Sequence, residues 1–302
     1  MADLPLNEAF VGGQLDSIDD TDFDPTNGIT IYNDDDAEIP PDADWMELFP
    51  TGTFREGDDM ELIQGGNTVR TYKLPIWTDR CQYKIATHGR PLKVEVGLWL
   101  GPLRSTHTLK IDSEDGLETP YMATLKFRAQ AQMLRIITSD SVEFPVRASV
   151  FVPPPTRAAH LLENTEYLWN KAGPDQKLTV QGGNVGGGGG AIRWWKVPPE
   201  VKSVQVISWA KDTSKKSFKG KIWVLQGPNN CKQDYFLQCG GGSQPYHAVI
   251  QTPGDGCTIG IQNKKFVEGA STIYLLWFDV CVCDLYVNMV CRSRVVMLMT
   301  RP

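Results

Sequence analysis

The sequence carries one short stretch twice. Ile63–Asn67 reads IQGGN, and Val180–Asn184, 117 residues later, reads VQGGN. Three more pairs follow in the same order: Tyr72–Pro75 (YKLP) with Trp195–Pro198 (WKVP), Leu98–Pro102 (LWLGP) with Val224–Pro228 (VLQGP), and Pro120–Tyr121 with Pro245–Tyr246. Because a period above 100 residues is far longer than that of a solenoid repeat, these landmarks predict a tandem duplication of one whole domain.

Alternating apolar and polar residues predict that both copies are built of strands. The pattern is clear over residues 93–100, 123–128 and 146–152, and glycine- and proline-containing turn signals separate such segments. No long amphipathic helical pattern lies between them. We therefore predict an all-β protein made of two antiparallel β-sandwich-like domains.

Composition and the proline-rich stretch 153–155 divide the chain into five parts. The predicted parts are an acidic N-terminal arm (1–50), a first β repeat (51–155), a linker (156–160), a second β repeat (161–283) and a short C-terminal extension (284–302). With 302 residues, the chain has the length expected for two domains.

The net charge of −6 conceals a strong asymmetry between the arm and the rest of the chain. Residues 1–50 contain 14 of the 36 acidic residues and none of the 30 basic ones, so residues 51–302 carry about +8 (30 − 22). One interpretation is a solvated tail. The other is that the arm pairs with its own basic body or with a neighbouring copy, and aromatic residues such as Trp45 and Phe49 favour docking because disordered segments usually lack them.

The residue patterns predict no catalytic, metal or cofactor site. The four histidines are scattered, the seven cysteines form no paired zinc-type spacing, and the Gly186–Gly190 run lacks the Lys-Ser/Thr of a phosphate-binding loop. We expect free thiols and no enzyme activity. No apolar run is long enough to cross a membrane, and we predict neither membrane insertion nor nucleic acid as a partner.

Nine tryptophans leave two interpretations open. Exposed tryptophans on a β-sandwich stack on sugar rings in many carbohydrate-binding modules, so a carbohydrate-binding or cell-surface tandem β-sandwich protein is the alternative function. The other interpretation is that most of them fill cores or protein interfaces, where large aromatic side chains contribute strongly.

Taken together, the tandem QGGN repeats, the LWLGP strand end, the acidic leader and the C-terminal extension resemble the pyrenoid shell proteins of diatoms. The resemblance covers residues 51–283. It implies a non-enzymatic protein of the chloroplast stroma that assembles into a sheet-like lattice at the pyrenoid periphery, enclosing the Rubisco matrix and supporting CO₂ concentration. Such proteins are imported and trimmed, so we expect no targeting segment in this chain.

The segments outside the two repeats are the predicted connectors between copies. A strand that leaves its own domain can add to the sheet of a neighbour, and residues 295–299 form an apolar, strand-like run without acids. We predict that the chain is its own partner, with the Rubisco matrix contacted directly or through a linker. The predicted assembly interface consists of Trp45, Phe49, Val295, Val296, Met297, Leu298 and Met299.

Overall fold

The fold is built of strands, which confirms the all-β prediction. The structure is a computed structural model, and it describes residues 21–24, 29–32, 60–101, 104–127, 132–153, 158–159, 163, 177–181, 192–210, 218–239, 246–264 and 270–278. In the arm and first repeat the strands are β1 (Thr21–Asp24), β2 (Ile29–Tyr32), β3 (Glu61–Ile63), β4 (Val69–Leu74), β5 (Arg80–Ala86), β6 (Leu92–Leu100), β7 (Arg104–Ser113), β8 (Tyr121–Lys126), β9 (Gln132–Thr138) and β10 (Val146–Val152). In the second repeat they are β11 (Lys177–Gln181), β12 (Ile192–Val197), β13 (Ser203–Ala210), β14 (Phe218–Leu225), β15 (Cys231–Cys239), β16 (Tyr246–Gln251), β17 (Cys257–Asn263) and β18 (Ala270–Phe278).

The strands form two sheets, and each sheet contains strands of both repeats. The eight-stranded sheet has the order β12-β17-β14-β15-β7-β6-β9-β4, and all of its neighbouring strands are antiparallel. The ten-stranded sheet has the order β1-β2-β10-β5-β8-β16-β13-β18-β11, with β3 also paired to β10. The pairing of β2 with β10 is parallel.

The pairing pattern of the first repeat recurs in the second. The neighbours β3-β10-β5-β8 correspond to β11-β18-β13-β16, and β4-β9-β6-β7 corresponds to β12-β17-β14-β15. The repeats are joined where β8 pairs with β16 and β7 pairs with β15, so both sheets continue from one repeat into the other. The predicted domain boundaries remain a prediction, because pairing alone does not locate them.

A single hydrophobic core lies between the two sheets. Alternate residues of each strand enter it, for example Tyr83 of β5 and Val96 of β6, which are both fully buried. Tyr121 of the ten-stranded sheet and Tyr235 of the eight-stranded sheet have ring centroids 5.3 Å apart, so the two layers are in direct contact. Since the period of a strand is two residues, the other half of each strand faces away from this core.

The first QGGN copy forms a tight turn whose glycines have different roles. Gly66 has φ 70° and Asn67 has φ 64°, both in the left-handed region that glycine and asparagine tolerate best. Gly65 instead packs against the backbone of Glu143 with no room for a side chain. The Gly66 amide donates to the Val142 carbonyl at 3.0 Å and thereby ties the turn to a loop distant in sequence. Of the second copy, the structure describes only Val180 and Gln181.

Candidate functional site

The predicted assembly interface lies outside the described residues. This holds for all seven of its members, which are Trp45, Phe49, Val295, Val296, Met297, Leu298 and Met299. Their role stays a prediction. The described surfaces of the two repeats therefore provide the structural evidence on function.

Several of the described titratable groups are buried, and burial holds each of them in its neutral form. Among the described residues, no group of three or more His, Cys, Asp or Glu could hold a metal ion. Burial lowers the pKa of His107 to about 4, and burial together with the charge of Arg80 does the same for His247, whose imidazole contacts the Gln205 amide. Both imidazoles are therefore neutral at pH 7. Burial raises the pKa of the Cys81 thiol above its usual range and that of Cys257 to about 12, so neither is a thiolate nucleophile at neutral pH.

Four buried tyrosines occupy the seam between the repeats. The rings of Tyr83 and Tyr121 are 5.9 Å apart, and Tyr121 lies 5.3 Å from Tyr235 of the other sheet. The Tyr121 hydroxyl donates to the Tyr246 hydroxyl at 2.9 Å, and the Tyr235 hydroxyl donates to Gln233 Oε1 at 2.6 Å. Burial raises the pKa of Tyr83, Tyr121 and Tyr235, so these phenols stay protonated. Tyr121 and Tyr235 therefore act as hydrogen-bond donors within the core.

The outer face of the eight-stranded sheet carries ion pairs on both sides of the same seam. An open groove of about 560 Å³ is lined by residues of both repeats. Six of its seven charged side chains form ion pairs, with Lys93–Asp112 at 3.1 Å, Lys110–Glu95 at 3.3 Å and Lys221–Asp234 at 2.6 Å. Such exposed pairs add little stability. The seventh charged side chain of the groove is Asp140.

Tryptophan side chains pack against neighbouring side chains at two places on this outer face. In the first repeat, the guanidinium of Arg135 lies 4.6 Å from the centroid of the Trp99 ring. In the second, Trp194 and Trp223 stack at 6.0 Å and 20°. The Trp194 ring lies directly over Gly260, where a β-carbon would collide with it. Trp195, one residue further on, faces the opposite way and packs against the core.

Exposed large apolar side chains are concentrated at the two edges of the eight-stranded sheet. The first apolar end comprises Val69 of β4 together with Ile76 and Trp77 of the turn that follows β4. The second apolar end comprises Ile192 and Trp194 of β12. Five of the eight exposed large hydrophobics among the described residues belong to these ends, and Val69 and Trp194 are 52% and 50% exposed. Exposed apolar side chains that gather at one part of a surface are typical of an interaction site.

The two apolar ends are only partly visible in the sequence. β4 and β12 contain the matched YKLP and WKVP landmarks, so their equivalence is visible in the sequence. Because side chains alternate along a strand, a core position for Trp195 would place Trp194 on the outer face of the sheet. What the sequence does not reveal is that β4 and β12 are both edge strands, because the strand order depends on pairings between residues far apart in the chain.

Comparisons with known proteins give one family. The family model described as diatom pyrenoid shell protein matches residues 55–276. No curated protein matches the chain.

Solved structures show only weak likeness to this chain. The 11S globulin from Wrightia tinctoria is 8% identical, with a TM-score of 0.15, and the match covers 68% of this chain and 77% of that one. The vicilin from Solanum melongena is 7% identical, with a TM-score of 0.17, and the match covers 68% and 76% of the two chains. Likenesses this weak carry no argument about this protein.

Proposed function

This chain belongs to the family of diatom pyrenoid shell proteins, and from that premise we propose that it is a structural protein that assembles with copies of itself into a sheet-like lattice. The lattice would encase the Rubisco-filled pyrenoid from the stromal side and support CO₂ concentration by enclosing it. The proposed partners are other copies of this chain and the Rubisco matrix, contacted directly or through a linker. The proposed role includes no catalysis and no cofactor.

The two apolar ends carry this proposal. They lie on equivalent strands, β4 and β12, at opposite edges of one sheet. A contact between the first apolar end of one copy and the second apolar end of the next is heterologous, and such a contact builds an open array when the rotation between copies does not close a ring. Burying these side chains between copies would be favourable at about 25 cal/mol per Å² of apolar surface.

The even number of strands in the eight-stranded sheet favours a side-by-side array of copies. Because seven successive antiparallel pairings separate β12 from β4, the two edge strands run in opposite directions. A second copy placed beside the first in the same orientation would therefore continue the antiparallel alternation. Lys73 and Lys196 occupy equivalent positions on the two edges, and lysine on an edge opposes indiscriminate strand addition. We expect the apolar side chains to provide most of the contact.

The arm and the extension remain proposed connectors. Trp45 and Phe49 are apolar positions in an otherwise acidic arm, and Val295–Met299 would form a sticky strand if it stayed exposed. Because this run follows the second repeat, we propose that it docks on a neighbouring copy. Strand addition to a neighbour would then reinforce the contact between the apolar ends.

Electron microscopy of the purified chain tests the proposal directly. Negative-stain images should show extended sheets or tubes with a regular spacing at neutral pH. A preparation that remains as dispersed particles over a wide range of protein concentration and ionic strength would contradict self-assembly. Assays for hydrolase, lyase and carbonic anhydrase activity together with elemental analysis test the non-enzymatic role, and about one zinc per chain with chelator-sensitive activity would overturn it.

The second candidate function is carbohydrate binding, which the Trp194–Trp223 stack favours. Trp194 is half exposed and lies flat over Gly260, so a planar apolar face is held in place on the surface. Aromatic faces of this kind pack against sugar rings. Titration with soluble β- and α-glucans, monitored by tryptophan fluorescence, separates the two functions: saturable quenching by dispersed protein supports this candidate, and no change argues against it.

A further inference from the structure

The outer face of the ten-stranded sheet is basic in the first repeat. Residues of β5, β8 and β10 alternate between the core and this outer face, and Arg80, Lys84, Lys126 and Arg147 all point outward. Arg80 is paired directly with Lys126, so two like charges lie opposite each other on neighbouring strands. The five central strands, β10, β5, β8, β16 and β13, contain no Asp or Glu. We call this surface the basic face.

The basic face is covered, although it faces away from the core. Phe151 and Gln82 are fully buried and Met122 is 6% exposed, yet none of the three belongs to the core cluster. Arg80 is 4% exposed. Each of Arg80, Lys84 and Phe151 makes at least one interaction beyond the contacts described above. Because a sheet face exposed to water would leave such residues accessible, another part of the chain must lie over it.

The chemistry of the basic face specifies what can cover it. Two cations placed opposite each other on adjacent strands destabilise the sheet unless a counter-charge lies between them. Burying an arginine without an anion costs far more than burying it in an ion pair. Among the described residues, Asp79 forms an ion pair with Arg80 in which the carboxylate lies 3.7 Å from Arg80 Nε, a long distance for such a pair. The cover must therefore be rich in carboxylates.

The N-terminal arm meets this requirement and reaches the right place. It contains 14 acids and no basic residue. Its strand β2 pairs with β10, where Thr30 lies opposite Phe151, so the arm joins the sheet at an edge of the basic face. The chain returns to the same strand at β3, where Leu62 pairs with Arg147.

The length of the arm is sufficient for docking. Residues 33–60 connect β2 to β3, and both of these strands pair with β10. Crossing from β10 over β5 to β8 requires about 10 Å, since neighbouring strands are about 4.8 Å apart. An extended chain spans about 3.3 Å per residue, so these residues can cross the basic face and return.

We propose that the basic face is the docking surface for the acidic arm of the same chain, with arm carboxylates lying against Arg80, Lys84, Lys126 and Arg147. The four cations would neutralise at most four of the 14 negative charges of the arm in cis. This inference does not depend on lattice formation. It applies equally to a dispersed monomer.

Zero-length crosslinking tests the docking surface. A carbodiimide joins a carboxylate to a lysine amine only when the two are in contact. In dispersed full-length protein we expect peptides that link Lys84 or Lys126 to acids of residues 1–50, and no links from the arm to the exposed Lys202 and Lys219, which serve as control lysines. Because the arm contains no tryptic site, digestion uses a protease that cleaves beside Asp or aromatic residues. Arm links that involve only the control lysines would overturn the proposal.

Isotope mixing decides whether docking is within one chain. Equal amounts of ¹⁵N-labelled and unlabelled protein are combined before crosslinking. Docking in cis predicts that at least nine-tenths of the links to Lys84 and Lys126 join arm and body of the same isotope. An equal share of mixed pairs would show that the arm covers a neighbour's basic face and would overturn the assignment in cis.

Charge reversal provides an independent readout. In the variant Lys84→Glu/Lys126→Glu, a protease specific for acidic residues should cleave the arm at least tenfold more rapidly. The control variant Lys202→Glu/Lys219→Glu has the same change in net charge and should leave the cleavage rate of the arm unchanged. If the first variant fails to fold, Asp34→Asn/Asp35→Asn/Asp36→Asn tests the same contact with the sheet intact and should raise the acetylation rate of Lys84 and Lys126. Equal cleavage rates in both charge-reversed variants, or unchanged acetylation, would contradict the proposal.

Discussion

Tyr121 and Tyr246 occupy equivalent positions in the two repeats, and they are hydrogen bonded to each other. Each follows a proline, and the distance between their hydroxyl oxygens is 2.9 Å. The register of β8 and β16 explains this contact: Ala123 is paired with Ala248, and Tyr121 and Leu125 are paired with Ile250 and Tyr246. Exchanging the repeats exchanges these pairs, so an approximate two-fold axis passes between the two alanines.

We expect the two tyrosines to be energetically coupled. Tyr121→Phe removes the donor and leaves the buried Tyr246 hydroxyl with one partner fewer, which should cost about 1–3 kcal/mol of unfolding free energy. Tyr121→Phe/Tyr246→Phe should cost less than the sum of the two single variants, by about 0.5–3 kcal/mol. Urea denaturation of the four proteins measures this coupling. Tyr121→Phe/Tyr72→Phe is the control, because Tyr72 bonds to Glu61 instead, and strict additivity of the Tyr121 and Tyr246 changes would contradict the prediction.

The apolar ends predict a clean separation of assembly from folding. Ile192→Ser/Trp194→Ser should abolish sheets in negative-stain images, because it removes the second apolar end. The protein should remain folded, with a modest fall in melting temperature, because Ile192 and Trp194 are partly exposed on an edge strand and Trp194 also packs on Trp223. Leu117→Ser is the matched control, since Leu117 is 60% exposed but lies in the turn between β7 and β8, away from both edges. Normal sheets from the β12 variant would show that the lattice uses other surfaces.

His107 predicts loss of stability on acidification. Its pKa is about 4 in the folded protein and about 6.5 when unfolded, so the unfolded state binds more protons between these values. The contribution of the neutral His107 imidazole to the free energy of unfolding is fully present above pH 6.5, and it is lost as the pH falls toward 4. His107→Leu removes this titration at a position whose neighbours Leu109 and Ile111 enter the core. The urea midpoint of the variant minus that of the parent protein should increase as the pH is lowered from 7.5 to 5. A difference that stays constant with pH would contradict the prediction.

The two glycines of the first QGGN copy should respond differently to alanine. A β-carbon on Gly65 would collide with the backbone carbonyl of Glu143, whereas one on Gly66 meets nothing. We expect Gly65→Ala to cost about 3 kcal/mol or more, because backbone atoms must move, and Gly66→Ala about 1 kcal/mol for its positive φ. Denaturant midpoints of the two variants provide the comparison. A larger loss for Gly66→Ala would mean that this turn is arranged differently.

The C-terminal extension is expected to act in assembly only. Deleting residues 284–302 should leave circular dichroism and melting temperature nearly unchanged while sheet formation is lost. Because the arm docks on its own chain through charge, salt well above ~0.15 M should loosen that docking without reproducing the loss of sheets. Sheets of normal spacing from the truncated protein would mean that the domain surfaces alone build the lattice.

Local patterns in the sequence were sufficient for the strands and for the correspondence between repeats. Alternation over residues 93–100 and 146–152 identified β6 and β10, because the two-residue period of a strand sends every second side chain to the same face. The landmark pairs aligned β4 with β12 and Tyr121 with Tyr246. The same local signals indicated that no catalytic motif was present, since such motifs have recognisable spacing.

Only the tertiary structure decided which strands lie at the edges and which surfaces are covered. The pairing of β8 with β16 joins the repeats into shared sheets and leaves β4 and β12 at opposite edges, and no local pattern encodes a pairing between residues 125 positions apart. Arg80 and Lys126 are ordinary strand cations in the sequence, and they become a docking surface only because the register places them opposite each other on one face. Strand order and register depend on non-local contacts, and the free energy of those contacts is determined by the whole fold.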